Sequence, residues 1–342
     1  MRQLIDTVRK LLAYPKGLLA MDESNGTCDK RFAAAGIPQT VEARRAYREL
    51  IITTPGLGEC VSGVILYDET IRQRASDGTR FVKLIEDAGI VPGIKVDLGA
   101  KELAGHPGEK VTEGLDGLRA RLEDYFKMGA RFAKWRAVIS IGEGLPSRAC
   151  VEANAHALAR YAALCQEAGI VPVVEPETLM EGGHSMAACA EATEAVLRAL
   201  FAELALQGVA LEAMLLKPNM VLPGAGSSER PGAAEVARAT LRVLRRVVPA
   251  EVPGIAFLSG GQSGELASAR LDAMNALPSP SPAAPWTLTF SYARAIQQPA
   301  LGIWAGAPAN VAKAQAALLH RARCDRAARE GRYSPAVEAS GP

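Results

Sequence analysis

The chain of 342 residues is 49% apolar and 22% charged with a formal net charge of +2, the balance of a globular protein with a large core. A charge this close to zero supplies no bulk field for nucleic acid or an anionic membrane surface, and no run of about 18 apolar residues appears from which a membrane span is built. The opening stretch Met1-Arg2-Gln3-Leu4-Ile5-Asp6 carries charge early and lacks the apolar centre of a signal peptide.

In chain order, an N-terminal helix is followed by a short strand-like run and a longer amphipathic stretch, a pattern that recurs eight times. The predicted strands are 17–22 (GLLAMD), 61–68 (VSGVILYD), 91–97 (VPGIKVD), 132–139 (FAKWRAVI), 171–177 (VPVVEPE), 212–219 (EAMLLKPN), 254–261 (GIAFLSGG) and 286–292 (WTLTFSY). Helical periodicity is clearest at 147–168, 186–207 and 232–248, where Ala, Leu and Val recur at three- and four-residue spacing. Strand and helix alternating in this way predict a parallel sheet. Ala88-Gly89-Ile90-Val91-Pro92 recurs as Ala168-Gly169-Ile170-Val171-Pro172, a helix stop in left-handed Gly followed by a Pro suited to a strand start. An open doubly wound sheet is the competing arrangement, but no G-x-G-x-x-G follows the first strand. The predicted fold is therefore α/β, a single (β/α)8 barrel over 1–342. The segment 277–285 (LPSPSPAAP) reads as an exposed loop before the eighth strand, and after Gly331 a mobile tail is expected.

Six cysteines (Cys28, Cys60, Cys150, Cys165, Cys189, Cys324) are scattered without C-x-x-C spacing, which predicts a reduced, cytoplasmic protein. The four histidines (His106, His156, His184, His320) are far apart and none lies on a strand run, so neither a zinc site nor any other metal is expected. No cofactor motif appears.

Four strand runs carry polar residues two positions apart: Lys95/Asp97, Lys134/Arg136, Glu175/Glu177 and Lys217/Asn219. Successive strand side chains alternate faces, so each pair points one way, and charge aimed repeatedly at one face of an apolar strand calls for an active site. Barrel chemistry sits at the carboxyl ends of the strands, where Asp22, Asp97, Glu177, Asn219 and Ser259-Gly260-Gly261 fall. Lys217, in Met214-Leu215-Leu216-Lys217-Pro218, would be desolvated. Desolvation and neighbouring cations such as Lys95 and Lys134 favour a free amine able to attack a carbonyl; the alternative is a structural lysine paired to Glu175 or Glu177. Those two glutamates, flanking Pro176, are candidates for a general acid and a cation-orienting carboxylate, or for simple neutralisation of the lysines. Ser259-Gly260-Gly261-Gln262-Ser263 opens a helix after an apolar strand and suits phosphate, with Arg294 on the next strand completing the cradle. Lys30-Arg31 and Arg44-Arg45 suit a second anionic group at the mouth, or are a solvated face.

With these residues assembled, the chain resembles the class I, Schiff-base fructose-bisphosphate aldolases from about residue 10 to 335. The matching stretches are Gly17-Leu18-Leu19-Ala20-Met21-Asp22-Glu23-Ser24, Gly93-Ile94-Lys95-Val96-Asp97, Phe132-Ala133-Lys134-Trp135-Arg136, Ile170-Val171-Pro172-Val173-Val174-Glu175-Pro176-Glu177, Leu215-Leu216-Lys217-Pro218-Asn219-Met220, Phe257-Leu258-Ser259-Gly260-Gly261-Gln262-Ser263 and Leu288-Thr289-Phe290-Ser291-Tyr292. The resemblance implies that Lys217 forms the Schiff base, Glu175 handles the protons of carbinolamine formation and dehydration, and Asp22 accepts the hydroxyl proton during cleavage. Lys134 supports the local charge and Glu177 positions it. It also implies that Ser259, Gly260, Gly261, Ser291 and Arg294 bind one phosphate, while Ser24, Thr27, Lys30, Arg31, Arg44, Lys95 and Arg136 line the rest of the substrate path. A metal-independent, glycolytic and gluconeogenic homotetramer is implied as well. The chain departs from the family in Ala293, where Gly is typical, in Thr27 for Ser, in Leu98 for a charge, and in the longer Pro-rich loop. It also ends at Gly341-Pro342 without the Tyr-ended tail tied to enamine protonation and bisphosphate preference. Two other readings accompany this one: a Schiff-base aldolase preferring another ketose phosphate, and a binding or scaffold protein on the same fold.

Overall fold

The computed structural model describes residues 1–276 and 284–341. Ten strands are present: β1 (Gly17–Ala20), β2 (Val61–Leu66), β3 (Val91–Lys95), β4 (Ala100–Glu102), β5 (Lys110–Thr112), β6 (Phe132–Ile139), β7 (Val171–Thr178), β8 (Leu215–Leu216), β9 (Gly254–Phe257) and β10 (Thr287–Tyr292). Eight of them close into a parallel barrel in the order β1-β10-β9-β8-β7-β6-β3-β2, as the eightfold alternation predicts. The helices are α1 (Arg2–Leu11), α2 (Asn25–Ala34), α3 (Val41–Ile52), α4 (Asp68–Arg72), α5 (Phe81–Asp87), α6 (Leu118–Met128), α7 (Arg148–Glu167), α8 (Met186–Leu206), α9 (Ala233–Val247), α10 (Gly264–Ala276), α11 (Arg294–Trp304), α12 (Val311–Arg329) and α13 (Pro335–Ala339). No helix among the described residues is long and apolar enough to cross a membrane.

The recurrent helix stop behaves as its chemistry requires. Gly89 and Gly169 take φ values of 71° and 72°, and the amides that follow fold back, Ile90 to Ile85 O and Ile170 to Cys165 O. Both prolines then sit second in their strands. The barrel interior is filled by Leu18, Ala20, Ile65, Phe132, Val171, Val173, Leu215 and Ala256, and the apolar stripe Leu4, Val8 and Leu11 of α1 closes its lower end. Close packing there depends on Gly93, where a Cβ would lie 2.4 Å from the Phe132 ring. A second, larger core lies between the barrel wall and the surrounding helices.

Several elements differ from expectation. The sixth barrel strand shrinks to Leu215–Leu216, preceded by a 3-10 turn at Leu211–Ala213; Pro218 has no amide to extend the ladder, and the Lys217 amide makes the last bond, to Val174 O at 2.8 Å. The hairpin β4–β5 between the third and fourth barrel strands carries no apolar periodicity and went unpredicted. The stretch after Gly331, expected to be a mobile tail, instead holds α13, capped by Ser334 and tied down by Arg321 and Tyr333 on Glu338. Short polar composition concealed those two anchors. Most of the predicted loop at 277–285 lies outside the described residues.

Candidate active site

Side-chain alternation carries each inward face from apolar to charged as the strands rise. On β6, Phe132 is followed by Lys134 and Arg136; on β7, Val171 and Val173 are followed by Glu175 and Glu177. Strand register sets these rows side by side, pairing Lys95 with Lys134 and Arg136 with Glu175. Lys217 follows β8 directly, and Asp22 sits two residues beyond β1, held by the Met21 amide on Ile65 O at 3.0 Å. All of them line one cavity of about 680 Å³ at the carboxyl ends of the strands.

Within it runs a continuous chain of alternating charge. Asp22 Oδ2 lies 2.7 Å from Lys134 Nζ, Lys134 Nζ lies 3.3 Å from Glu175 Oε2, and Glu175 Oε1 lies 3.2 Å from Lys217 Nζ. Glu175 therefore stands between the two lysines, where a direct cation neighbour for Lys217 was expected. The arrangement is deeply buried, with Lys134, Glu175 and Lys217 at 4%, 3% and 3% exposure. Burial pushes the Asp22 carboxyl up, but Lys134, then Lys217 and Lys95, outweigh it and hold Asp22 down at about 2. Burial likewise disfavours the Lys134 ammonium, yet Asp22, Glu175 and Asp97 raise it well above the usual lysine range. Further out, Lys95 pairs with Asp97 at 2.6 Å and Arg136 with Glu177. Asp97 also receives the amides of Gly99 and Arg136, which stiffens the wall.

The opposite side of the cavity is built to receive anions. Gly260 and Gly261 adopt φ of 53° and 81°, the left-handed region open to glycine, and that turn leaves the amides of Ser259, Gly260 and Gly261 without acceptors among the described residues. Arg294 comes from the first residue of α11, and a Cβ on Gly261 would lie 3.6 Å from its Nη2. Ser291 Oγ is buried without a partner among the described residues. Lys30 and Arg294 line the cavity, and neither has a carboxylate partner among the described residues. Ala293 takes φ of −109°, so its added methyl needs no glycine.

The remaining predicted residues divide. Ser24 and Thr27 line the cavity, Ser24 also capping α2 by accepting from the Thr27 amide. Arg31 lines it too but is engaged by Glu23. Arg44 does not reach the cavity: its guanidinium donates to both Glu69 oxygens and to Asp29, each at 2.8 Å. Acidic partners on α2 and α4 capture it, and nothing in the local sequence of α3 announces them. Asn219 also turns away, accepting from the Thr178 amide and donating to Thr193 Oγ1, because the short β8 ends the alternation that would have paired it with Lys217. Missed from the sequence were Glu23 and Gln297, which knit the rim together: Glu23 binds Arg31 and Arg48, and Gln297 donates to Ala20 O at 2.6 Å. A signal existed for Glu23 alone, as the second acid of Asp22-Glu23.

Comparison with known proteins bears on this geometry. The sequence model of the family described as Glycolytic, fructose-bisphosphate aldolase class-I, matches residues 3–341. The chain is 56% identical to a probable fructose-bisphosphate aldolase class 1 of Xanthomonas campestris over 94% of its length and 95% of the relative's. It is 50% identical to the cytosolic fructose-bisphosphate aldolase 5 of Arabidopsis thaliana, covering 97% and 92%. Among solved structures, the fructose-bisphosphate aldolase of Plasmodium falciparum, crystallised with TRAP and a small-molecule inhibitor, superposes with a TM-score of 0.95 at 45% identity, covering 97% and 95%.

Proposed function

The chain belongs to the class I fructose-bisphosphate aldolase family and is a fructose-bisphosphate aldolase, an aldehyde-lyase; from that premise we propose that Lys217 is its Schiff-base nucleophile. The amine of Lys217 adds to the C2 carbonyl of open-chain fructose 1,6-bisphosphate, one amine proton passes to the former carbonyl oxygen, and Glu175, acting as an acid, donates a second proton that expels the carbinolamine hydroxyl as water and leaves the iminium. The iminium then draws the electron pair of the C3–C4 bond while Asp22, ionised because Lys134 holds its carboxyl low, accepts the C4 hydroxyl proton. Glyceraldehyde 3-phosphate departs. Protonation of the enamine at C3 and addition of water to the iminium release dihydroxyacetone phosphate and restore the amine.

Lys134 supports the negative charge passed between Asp22 and Glu175, and Glu177 holds Arg136 in the substrate wall. Ser259, Gly260, Gly261, Ser291 and Arg294 take one phosphate; Ser24, Thr27, Lys30, Arg31, Lys95 and Arg136 line the path to the other. The observation that supports these roles is the unbroken chain Asp22–Lys134–Glu175–Lys217 facing a cavity that also holds Lys30 and Arg294, neither with a carboxylate partner among the described residues. The proposal extends to a single-domain homotetramer and to the cytoplasm, the compartment alone being supported by the cytosolic Arabidopsis relatives; a Chlamydomonas relative is named chloroplastic, so fractionation tests the compartment and light scattering the assembly.

The test of mechanism is chemical. Borohydride with dihydroxyacetone phosphate is expected to trap a covalent adduct on Lys217, with activity unaffected by EDTA. An adduct on another lysine, together with an active Lys217→Met variant, refutes the assignment.

A further inference from the structure

Behind the phosphate-facing loop, outside the cavity, three helices meet on one buried guanidinium. Arg321 of α12 is 3% exposed, and its Nη1 donates to both carboxylate oxygens of Glu338 in α13, at 2.5 and 2.6 Å. Its Nη2 donates to Ser268 Oγ of α10 at 2.7 Å, and Ser268 donates on to Asp325 Oδ1 at 2.6 Å. The remaining nitrogen, Nε, has no partner among the described residues and packs near Gly264: a Cβ there would lie 2.8 Å from Arg321 Nε and 2.8 Å from the Ala295 carbonyl oxygen. Gly264 opens α10, directly after the Ser259–Ser263 loop, and Ala295 follows Arg294 in the first turn of α11. The start of α10 is thus wedged between the Arg321 side chain and the first turn of α11, so Arg321 bears on α10 directly and on α11 through Gly264.

Glu338 also attracts His320 and Cys324, and the three lie close enough to hold a metal ion. Both Glu338 oxygens are already taken, by Arg321 and by the Tyr333 hydroxyl at 2.6 Å, and burial pushes the Cys324 thiol up to about 12. A thiol held protonated and a carboxylate held by a guanidinium make a clasp, not a ligand set.

We propose that Arg321, clasped by Glu338, is a positioning residue that sets the spacing between the Ser259–Gly261 turn and Arg294, and so couples the docking of α13 to phosphate affinity. Neither residue touches substrate. The proposal rests on reading that turn and Arg294 as the phosphate cradle. A cradle of rigid amides and one arginine binds well only at the correct separation, and remote supports of this kind act on affinity through geometry.

The experiment compares Arg321→Met, Glu338→Ala and Arg294→Ala in the full chain, with circular dichroism and thermal midpoints to verify folding. It measures KM and kcat for fructose 1,6-bisphosphate, the inhibition constant of inorganic phosphate, and the rate of borohydride trapping with phosphate-free dihydroxyacetone. Arg321→Met and Glu338→Ala are each expected to raise KM and the phosphate inhibition constant roughly tenfold, leaving kcat and the dihydroxyacetone trapping rate near wild type. Glu338→Ala carries the test if Arg321→Met does not fold, because Glu338 is partly exposed on the short α13, away from the barrel core. If Arg294→Ala weakens phosphate but the two clasp variants do not, the positioning role is wrong. If Arg294→Ala also leaves phosphate inhibition unchanged, the cradle reading fails and the proposal with it.

Discussion

The lower and upper halves of the barrel interior are built on the same strand faces and obey opposite rules. Each face is apolar below and charged two residues higher: Phe132 then Lys134, Val173 then Glu175, Leu215 then Lys217. The lower half is stabilised by volume, with a phenyl ring filling the space left by Gly93. The upper half is almost as dry, yet its charges contribute little net stability, because desolvating ion pairs roughly cancels their attraction. Shape maintains one half and charge alternation the other, and the proposed chemistry belongs to the second alone.

Two substitutions two strands apart separate these rules most sharply. Lys217→Met is expected to lower turnover by on the order of 10⁴ or more while shifting the thermal midpoint little, since Met fills the space and Glu175 keeps Lys134. Phe132→Ala is expected to cost about 3–5 kcal/mol of stability yet leave the turnover of the folded fraction close to wild type. Denaturant unfolding and steady-state rates on both variants check the contrast. A Lys217→Met protein that unfolds, or a stable Phe132→Ala protein that is inactive, dissolves it.

A pair of arginines sharpens the contrast at the rim. Both were expected to meet anions, but Arg44 is bound by Glu69 and Asp29 while Arg294 has no such partner among the described residues. Arg294→Ala is therefore expected to raise KM for the bisphosphate by roughly 10–100-fold with little change in stability. Arg44→Ala is expected to leave KM unchanged and to cost about 2 kcal/mol, because two carboxylates lose their donor. Equal effects on KM would show that the ion pairs of Arg44 open in solution.

Those arginines also show how far the sequence was legible. Eight strands were readable because each apolar run has the length and punctuation of a buried strand. Every residue of the Asp22–Lys134–Glu175–Lys217 chain was readable because a charge set in such a run is costly to bury unless a site uses it. What resisted reading was partner choice at a distance. Nothing near Arg44 names Glu69 as its acceptor, and nothing in Leu215-Leu216-Lys217-Pro218-Asn219 says that the ladder stops early enough to turn Asn219 toward Thr178. The clasp of Arg321 on Glu338 is of the same kind, assembled from three helices whose sequences are unremarkable one by one.

The last contrast sets two buried aspartates against each other and is read through pH. The cations around Asp22 hold it at about 2, below its ordinary value of 3.8. Its ionised form therefore stabilises the fold above pH 4 by about 2 kcal/mol, a contribution lost as pH falls through 2. Asp325 lies behind the cradle, where burial outweighs Arg321 and Ser268 and, with Glu338 adding to the rise, pushes it up to about 7. Here the folded state holds a proton that the unfolded chain releases near pH 4, so stability falls as pH rises from about 4 to 7. Asp325→Asn removes that slope. Relative to wild type, the variant is expected to gain stability between pH 5 and pH 8 in urea unfolding, whereas a difference that does not vary with pH would mean that Asp325 stays ionised beside Arg321, whose Nη2 lies 3.9 Å from its Oδ1. The same titration then reports on the clasp: if ionising Asp325 draws Arg321 from Glu338, phosphate inhibition of the wild type weakens over the same pH range, and Asp325→Asn suppresses that added loss.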